Sequence, residues 1–327
     1  MKSYWMQMTD TDTLLECRES PVPEPGPQQL LVRLHAAGLN RGEFVLGHGL
    51  HGKAGSWKQI GGEGAGVVVG VGKEVSQFKV GDKVMGRCPG AFSEYGLMEA
   101  IEAMPKPDSL SWEEAACLPL TFLVAFDMLV VQGRLKAGEW LLINGVSSGV
   151  GVASLQLGKA LGAKVIGTSG SADKLQVLKP LGLNVGLQTR KADFAGKVME
   201  ATEQHGADLV VNAVGGSVFA ENVRAAAFEG RLAFVGYVDG ELHADLDLQA
   251  LHSKRLTLFG VSNKLRTKAQ RASAIPRFVA EVLPHVQAGK IKPQVDKEFD
   301  FGDLAAAKAC MEAGQHAGKI VLRIPAG

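Results

Sequence analysis

The stretch "WLLINGVSSGVGVASLQLGKALGAKVIGTSGSADK", residues 140–174, constrains the fold more than any other part of the chain. Residues 140–144 are an apolar run of the buried-strand type, 149–161 read as an apolar helix, and 164–168 as a second strand. The turn that joins strand to helix is built from small residues: Gly145, Ser147, Ser148, Gly149 and Gly151. Small residues there let backbone N–H groups and a helix N-terminus come close to a pyrophosphate. Ser148 stands where such a turn has its middle glycine. Its Cβ takes up room, and its hydroxyl can donate to phosphate. A tight turn needed only for helix–sheet packing is the competing account.

The surroundings favour a nucleotide turn. From 140 to 260 strands alternate with helices: strands at 140–144, 164–168, 208–212, 231–235 and 255–259, a weaker one at 185–187, and helices near 149–161, 171–181, 193–204 and 217–227. Continuous apolar strands alternating with helices imply a parallel sheet covered on both faces. Six of them fit a doubly wound Rossmann domain of the α/β class. An NAD site places an Asp or Glu at the end of its second strand, about 20 residues beyond the first glycine, for the ribose 2′-hydroxyl. Here that position holds Gly167, Thr168, Ser169 and Gly170, with no carboxylate before Asp173. Small hydroxylated residues leave room for a 2′-phosphate, and Lys174 and Arg190 are the cations at hand to neutralise it. Either cation read alone is equally a solvated surface charge. The expected cofactor is NADPH.

The rest of the chain frames that domain. Residues 1 to about 118 read as mostly β, with short apolar runs between turn segments such as "PVPEPGPQQ" and "VGDKV". A helix follows at "SWEEAACLPLTFLVAFDMLV", where Ser111 precedes Glu114 at capping-box spacing. The tail carries a helix around 268–288, another from about 303, and a last apolar run, "GKIVLRI". One strand cannot bury its own faces, so it should pair back with the leading β block. The expected domains are therefore a β-rich substrate domain, 1–120 and 261–327, and a Rossmann domain, 121–260.

With 327 residues the chain has material for two cores. A net charge of +1 gives no electrostatic reason for a nucleic-acid or membrane partner. The first twenty residues lack the pattern of a secretion signal, and no apolar run reaches bilayer length, so the expected location is the cytoplasm. Cys17, Cys88, Cys117 and Cys310 are scattered and form no CxxC pair, which speaks against a zinc lobe or a disulfide framework.

Several segments together carry a family resemblance. "IGGEGAGVVVGVGKEVSQFKVGDKVMG", "SSGVGVASLQLGKALGAKVIGT", "AAGLNRGEF" and "AGQHAGKIVLRI" resemble the medium-chain dehydrogenase/reductase superfamily, and within it the zinc-free quinone oxidoreductases, along essentially the whole chain. The resemblance implies a GroES-like fold for the β-rich domain. It places Asn40 and Thr121 near the nicotinamide and its ribose, and Ser147, Ser148, Gly149, Val150 and Gly151 around the pyrophosphate. Ser169, Gly170 and Lys174, with Arg190, would meet the adenosine phosphate. Gly215 and Gly236 would permit close backbone approach to the cofactor, or are ordinary turn glycines, and the loop 259–263, with Val261, would close over the nicotinamide end. Zinc alcohol dehydrogenases of this superfamily carry Gly-His-Glu where this chain has Gly61-Gly62-Glu63, and a cysteine where it has Asn40. Three protein ligands cannot be assembled, so no metal is expected.

Without a Lewis acid the acceptor must already be electron-poor: a quinone, or an alkene conjugated to a carbonyl. The 44–52 loop should line its pocket. The tyrosines that quinone oxidoreductases often place there are replaced by Val45 and His51. His51 is either a partner for the acceptor carbonyl, which with Asn40 makes the catalytic pair, or a solvent-facing histidine. Three functions follow in order: a quinone reductase, an enone or enoyl-thioester reductase, and a non-catalytic NADPH-binding redox sensor. A homodimer is expected through the last Rossmann strand, "RLTLFG", whose apolar edge invites a second copy.

Overall fold

The computed structural model describes residues 1–9, 13–44 and 55–325, and these form two compact units. One comprises Met1–Leu123 with Lys264–Gly327, the other Val124–Asn263.

In chain order the first unit begins with strands β1 (Lys2–Met8), β2 (Thr13–Glu19), β3 (Gln29–Gly38), β4 (Lys58–Gln59), β5 (Glu63–Val71), β6 (Lys83–Arg87), β7 (Tyr95–Glu99) and β8 (Ala103–Pro105). β3 shows why the leading block is β-rich. Leu30, Val32 and Leu34 alternate with less buried neighbours, and the period of two turns one face inward. Helix α1 (Trp112–Ala116) starts where the capping box predicts. Glu114 N–H donates to Ser111 Oγ at 3.1 Å, and Ser111 N–H to Glu114 Oε2 at 2.9 Å. Helix α2 (Pro119–Phe126) follows and continues into a π-helical turn, Asp127–Gln132.

The second unit holds β9 (Trp140–Asn144), α3 (Gly149–Ala160), β10 (Lys164–Ser169), α4 (Ala172–Leu178), β11 (Val185–Gln188), α5 (Ala195–Ala201), β12 (Ala207–Asn212), α6 (Phe219–Ala225), β13 (Ala226–Phe234), α7 (Leu248–Ser253) and β14 (Thr257–Gly260). Its six strands are all parallel, in the order β11-β10-β9-β12-β13-β14. This is the doubly wound α/β sheet expected from the sequence. β13 begins five residues earlier than the apolar run suggests, because Ala226 already pairs with Ala207. One face of the sheet, with Leu142, Ile166, Val210 and Leu232, packs on Phe194, Val198 and Val223.

The tail returns to the first unit as α8 (Lys268–Ala272), α9 (Ile275–Glu281), α10 (Leu283–Gln287), β15 (Val295–Asp300), α11 (Leu304–Glu312) and β16 (Lys319–Arg323). The single helix expected around 268–288 is instead three short ones. Pro276 and Pro284 each fall in the first two positions of a new helix, where the missing N–H costs nothing; inside one long helix each would break the ladder. β16 pairs antiparallel with β3 and parallel with β15, so the first unit is discontinuous in sequence. Its core gathers Leu34, Phe92 and Met98 from the leading strands with Leu304, Ile320 and Leu322 from the tail. Among the described residues no helix is long and apolar enough to cross a membrane.

Candidate functional site

The candidate nucleotide residues of the second unit share one location, just beyond the carboxyl ends of the parallel strands. β9 leads into Ser147–Gly151, β10 ends at Ser169 before Gly170, β11 precedes Arg190, β12 precedes Gly215, β13 precedes Gly236 and β14 precedes Val261. In open α/β sheets this is the edge that takes ligands.

The turn after β9 is held by close backbone approach. Val146 N–H donates to Thr168 O at 3.0 Å, and Gly145, at φ +72°, donates to Thr168 Oγ1 at 3.3 Å. A Cβ on Gly151 would lie 2.5 Å from Gly145 O and 2.7 Å from Val146 O, so only glycine fits. Ser148 has a use the sequence reading missed: it is the N-cap of α3, its Oγ accepting Gly151 N–H at 3.0 Å. The side chain that crowds the turn thus satisfies one of the helix's orphan donors. Gly149 and Val150 form the first turn of α3, half-buried, with that N-terminus beside them.

At the end of β10 the hydroxyls of Ser147 and Ser169 lie 3.4 Å apart. Ser171 caps α4, accepting Lys174 N–H at 3.4 Å. Arg190 lies directly over Gly170: a Cβ there would meet its Nε at 2.5 Å. Arg190 is exposed and enters no salt bridge among the described residues. The structure thus gathers Ser147, Ser169, Gly170 and Arg190 where the sequence lacks an acid, with Lys174 in the first turn of α4.

Gly215 is a glycine for a reason of its own. Its φ is +140°, and a Cβ would lie 1.7 Å from Asp239 Oδ1. Asn212 secures this turn, accepting Val214 and Gly215 N–H at 3.0 Å each. Gly236 is less constrained, since a Cβ there would come no nearer than 3.4 Å to its closest neighbour. Val261 is buried and donates its N–H to Phe234 O at 2.9 Å.

Asn40 and Thr121 lie in the first unit. Thr121 is buried and donates its hydroxyl proton to Cys117 O at 2.8 Å, leaving the oxygen lone pairs free to accept. Asn40 belongs to a buried cluster that sequence reasoning did not find. Lys319 Nζ bonds Glu63 Oε1 at 2.6 Å, Asn40 Oδ1 at 2.7 Å and Leu39 O at 2.8 Å. Asn40 Nδ2 donates to Glu63 Oε1 at 2.9 Å and Glu43 Oε1 at 3.2 Å. Glu63 Oε2 accepts Leu120 N–H at 2.8 Å. The only local signal was the three-residue spacing of Asn40 and Glu43. His51 lies outside the described residues, as does most of the 44–52 loop.

The cluster also bears on metal binding. A Cβ on Gly62 would lie 2.7 Å from Glu43 Oε1, so the room for a ligand side chain at 62 is taken by a carboxylate. The Lys319 ammonium already supplies a cation against Glu63. These residues do not fit a catalytic zinc, and among the described residues no group of three His, Cys, Asp or Glu side chains is placed to hold a metal.

Comparison with known proteins agrees with this architecture. Residues 26–108 match the alcohol dehydrogenase GroES-like domain and 149–278 the zinc-binding dehydrogenase family. A crystal structure of an NAD-dependent alcohol dehydrogenase is 32% identical, with a TM-score of 0.86 over 99% of this chain and 100% of that one. A mycobacterial protein solved with NADPH is 27% identical, with a TM-score of 0.88 over 99% of both chains. A quinone oxidoreductase of Pseudomonas aeruginosa is 29% identical over 94% of this chain and 95% of its own. A phenolphthiocerol/phthiocerol polyketide synthase subunit of Mycobacterium tuberculosis is 35% identical over 92% of this chain, which spans only 14% of that subunit's length. A Rossmann unit with a glycine-rich turn after its first strand and a discontinuous GroES-like unit define a dehydrogenase/reductase architecture. The chain belongs to the medium-chain dehydrogenase/reductase superfamily.

Proposed function

We propose that this chain is an NADPH-dependent oxidoreductase that delivers hydride to a quinone or similar electron-poor carbonyl acceptor without a metal. The observation that carries the reading is the end of β10, where Ser169 and Gly170 replace a carboxylate and Arg190 covers Gly170. An acid there would repel a 2′-phosphate; a free guanidinium over a glycine offers it a planar pair of donors. The NADPH bound by the mycobacterial relative and the quinone oxidoreductase of P. aeruginosa support the same reading. The NAD-dependent relative shows that the fold alone does not choose the nucleotide, so the choice rests on these side chains.

In this reading Ser147–Gly151 hold the pyrophosphate at the N-terminus of α3, and Ser169, Gly170, Lys174 and Arg190 hold the adenosine phosphate. Gly215, Gly236 and Val261 admit the nicotinamide end by close backbone approach. Asn40 and Thr121 are the first unit's candidate cofactor contacts. Bound NADPH supplies the hydride; the protein positions the acceptor and excludes water. Electron-poor acceptors need no strong protein acid, since water can protonate a product oxyanion.

The test is NADPH oxidation in chelator, with a simple quinone and an α,β-unsaturated ketone in parallel. Saturable turnover of the quinone is expected; turnover of the enone alone would move the assignment to alkene reduction. That second reading has one observation behind it, the 35% identity to a segment of a polyketide synthase. Replacing Arg190 by Ala should weaken NADPH about tenfold or more and leave NADH unchanged, as expected for one charge-assisted phosphate contact. Equal loss for both nucleotides would remove Arg190 from the phosphate site.

We also propose a homodimer built on β14. That strand pairs only with β13 among the described residues and leaves Leu258 exposed. Light scattering should return twice the chain mass, and a monomer at working concentration would end the proposal.

A further inference from the structure

The Asn40–Glu43–Glu63–Lys319 cluster holds two carboxylates and one ammonium, almost wholly withdrawn from water: Glu63 is 0% exposed, Lys319 5% and Glu43 7%. With every group ionised its net charge is −1. An uncompensated charge in such a place is costly, so the cluster favours taking up one proton. Glu63 is a poor place for it, because its oxygens accept from Lys319, Asn40 and Leu120 N–H. Among the described residues Glu43's carboxylate is held by Asn40, through the backbone N–H at 3.0 Å and Nδ2 at 3.2 Å.

The charged groups around Glu43 act in both directions. Burial raises its pKa from the usual carboxylate range to about 7. Lys319 from β16 and the two Asn40 bonds from its own turn oppose that rise, while Glu63 from β5 adds to it. α2 contributes Leu120, which carries no charge and lies 3.2 Å from where a Gly62 Cβ would be.

The bonding capacity of Asn40 makes this proton consequential. When both carboxylates are ionised, one Nδ2 hydrogen goes to Glu63, the other to Glu43, and Oδ1 accepts from Lys319. Gly38 O lies farther off, 3.5 Å from Nδ2, so the two shorter Nδ2 bonds both go to carboxylates. A proton on Glu43 Oε1 removes the charge that strengthens this bond and sets a hydrogen against the Asn40 N–H, so that contact weakens. We propose that Glu43 is a positioning residue whose proton releases one Asn40 N–H from an internal bond and makes it available to the carbonyl oxygen of an acceptor. Ionised Glu43 takes that donor back and leaves a negative cluster beside a developing oxyanion. The switch itself stands on the cluster geometry; only its effect on turnover rests on the proposed function.

Two readouts test it separately. In isotopically labelled wild-type protein, the Asn40 side-chain amide resonance, assigned with N40D, should shift with a midpoint near 7 between about pH 5.5 and 8.5. In Glu43→Gln it should stay flat over the same range. An unmoving resonance in wild type overturns the proposal without recourse to any variant, and so does a midpoint that persists in E43Q. For turnover at saturating NADPH, kcat/KM for the acceptor should fall about three- to tenfold as pH rises through the midpoint, the worth of one hydrogen bond. That inflection should vanish in E43Q and persist, shifted, in E43D, with NADPH affinity unchanged throughout. An identical turnover profile in wild type and E43Q overturns the link to catalysis. A titrating Asn40 amide in a protein that turns over no acceptor upholds the switch and rejects the oxidoreductase reading.

Discussion

Replacing Lys319 with Met should destabilise the first unit by about 3–5 kcal/mol, the cost of breaking a buried ion pair from one side. The ammonium spends its three hydrogens on Glu63, Asn40 and Leu39 O, all within 2.8 Å, and is 5% exposed. Methionine matches its length and removes all three bonds, leaving Glu63 ionised, buried and beside Glu43. Thermal unfolding should show a drop on the order of 10 °C for a unit of this size. The double variant E63Q/K319M separates charge from packing. It removes the stranded carboxylate along with the ammonium, so it should recover most of the loss. A K319M protein as stable as wild type would show that water reaches the cluster and that its burial is only apparent. A double variant no better than K319M would assign the loss to packing.

The features that were legible in the sequence are those whose partners are close in the chain. Ser111 and Glu114 are three residues apart and cap each other as their spacing predicts. The turn at 145–151 lies within one strand–turn–helix unit, and six strands alternating with helices announce a parallel sheet. The return of the tail was legible too, because a lone apolar strand must find a neighbour. The buried cluster was not. Glu63 and Lys319 are 256 residues apart, and each alone reads as an ordinary surface charge. Only β16, pairing with β3, carries Lys319 to the end of β5. Arg190 stands between these cases. Its type suits a phosphate, but its seat over Gly170 depends on where β11 ends. The long helix expected over 268–288 fails for a local reason: Pro276 and Pro284 each restart the helix, and a missing N–H outweighs apolar periodicity.

Gly151→Ala should cost the nucleotide site at least about 100-fold in NADPH affinity, roughly 2.7 kcal/mol. The added Cβ would meet Gly145 O at 2.5 Å, Val146 O at 2.7 Å and Val146 C at 2.8 Å. All three are backbone atoms, so no side chain can rotate away; the turn must open or α3 must move. Either movement pulls the α3 N-terminus from the place where its N–H groups would meet a pyrophosphate. Ser148→Ala makes the opposite comparison. It keeps the turn and removes only the hydroxyl that accepts Gly151 N–H, a cap worth about 1 kcal/mol, so stability should fall modestly and affinity by less than for G151A. Gly196→Ala is the control: it lies in α5 with nothing within 4 Å of the new methyl, and both properties should hold. Fluorescence titration with NADPH and thermal unfolding of the three variants would order them. If S148A lost affinity as severely as G151A, the serine would have to be a phosphate ligand first and a helix cap second. If G151A bound NADPH normally, the turn after β9 would not be where the nucleotide sits.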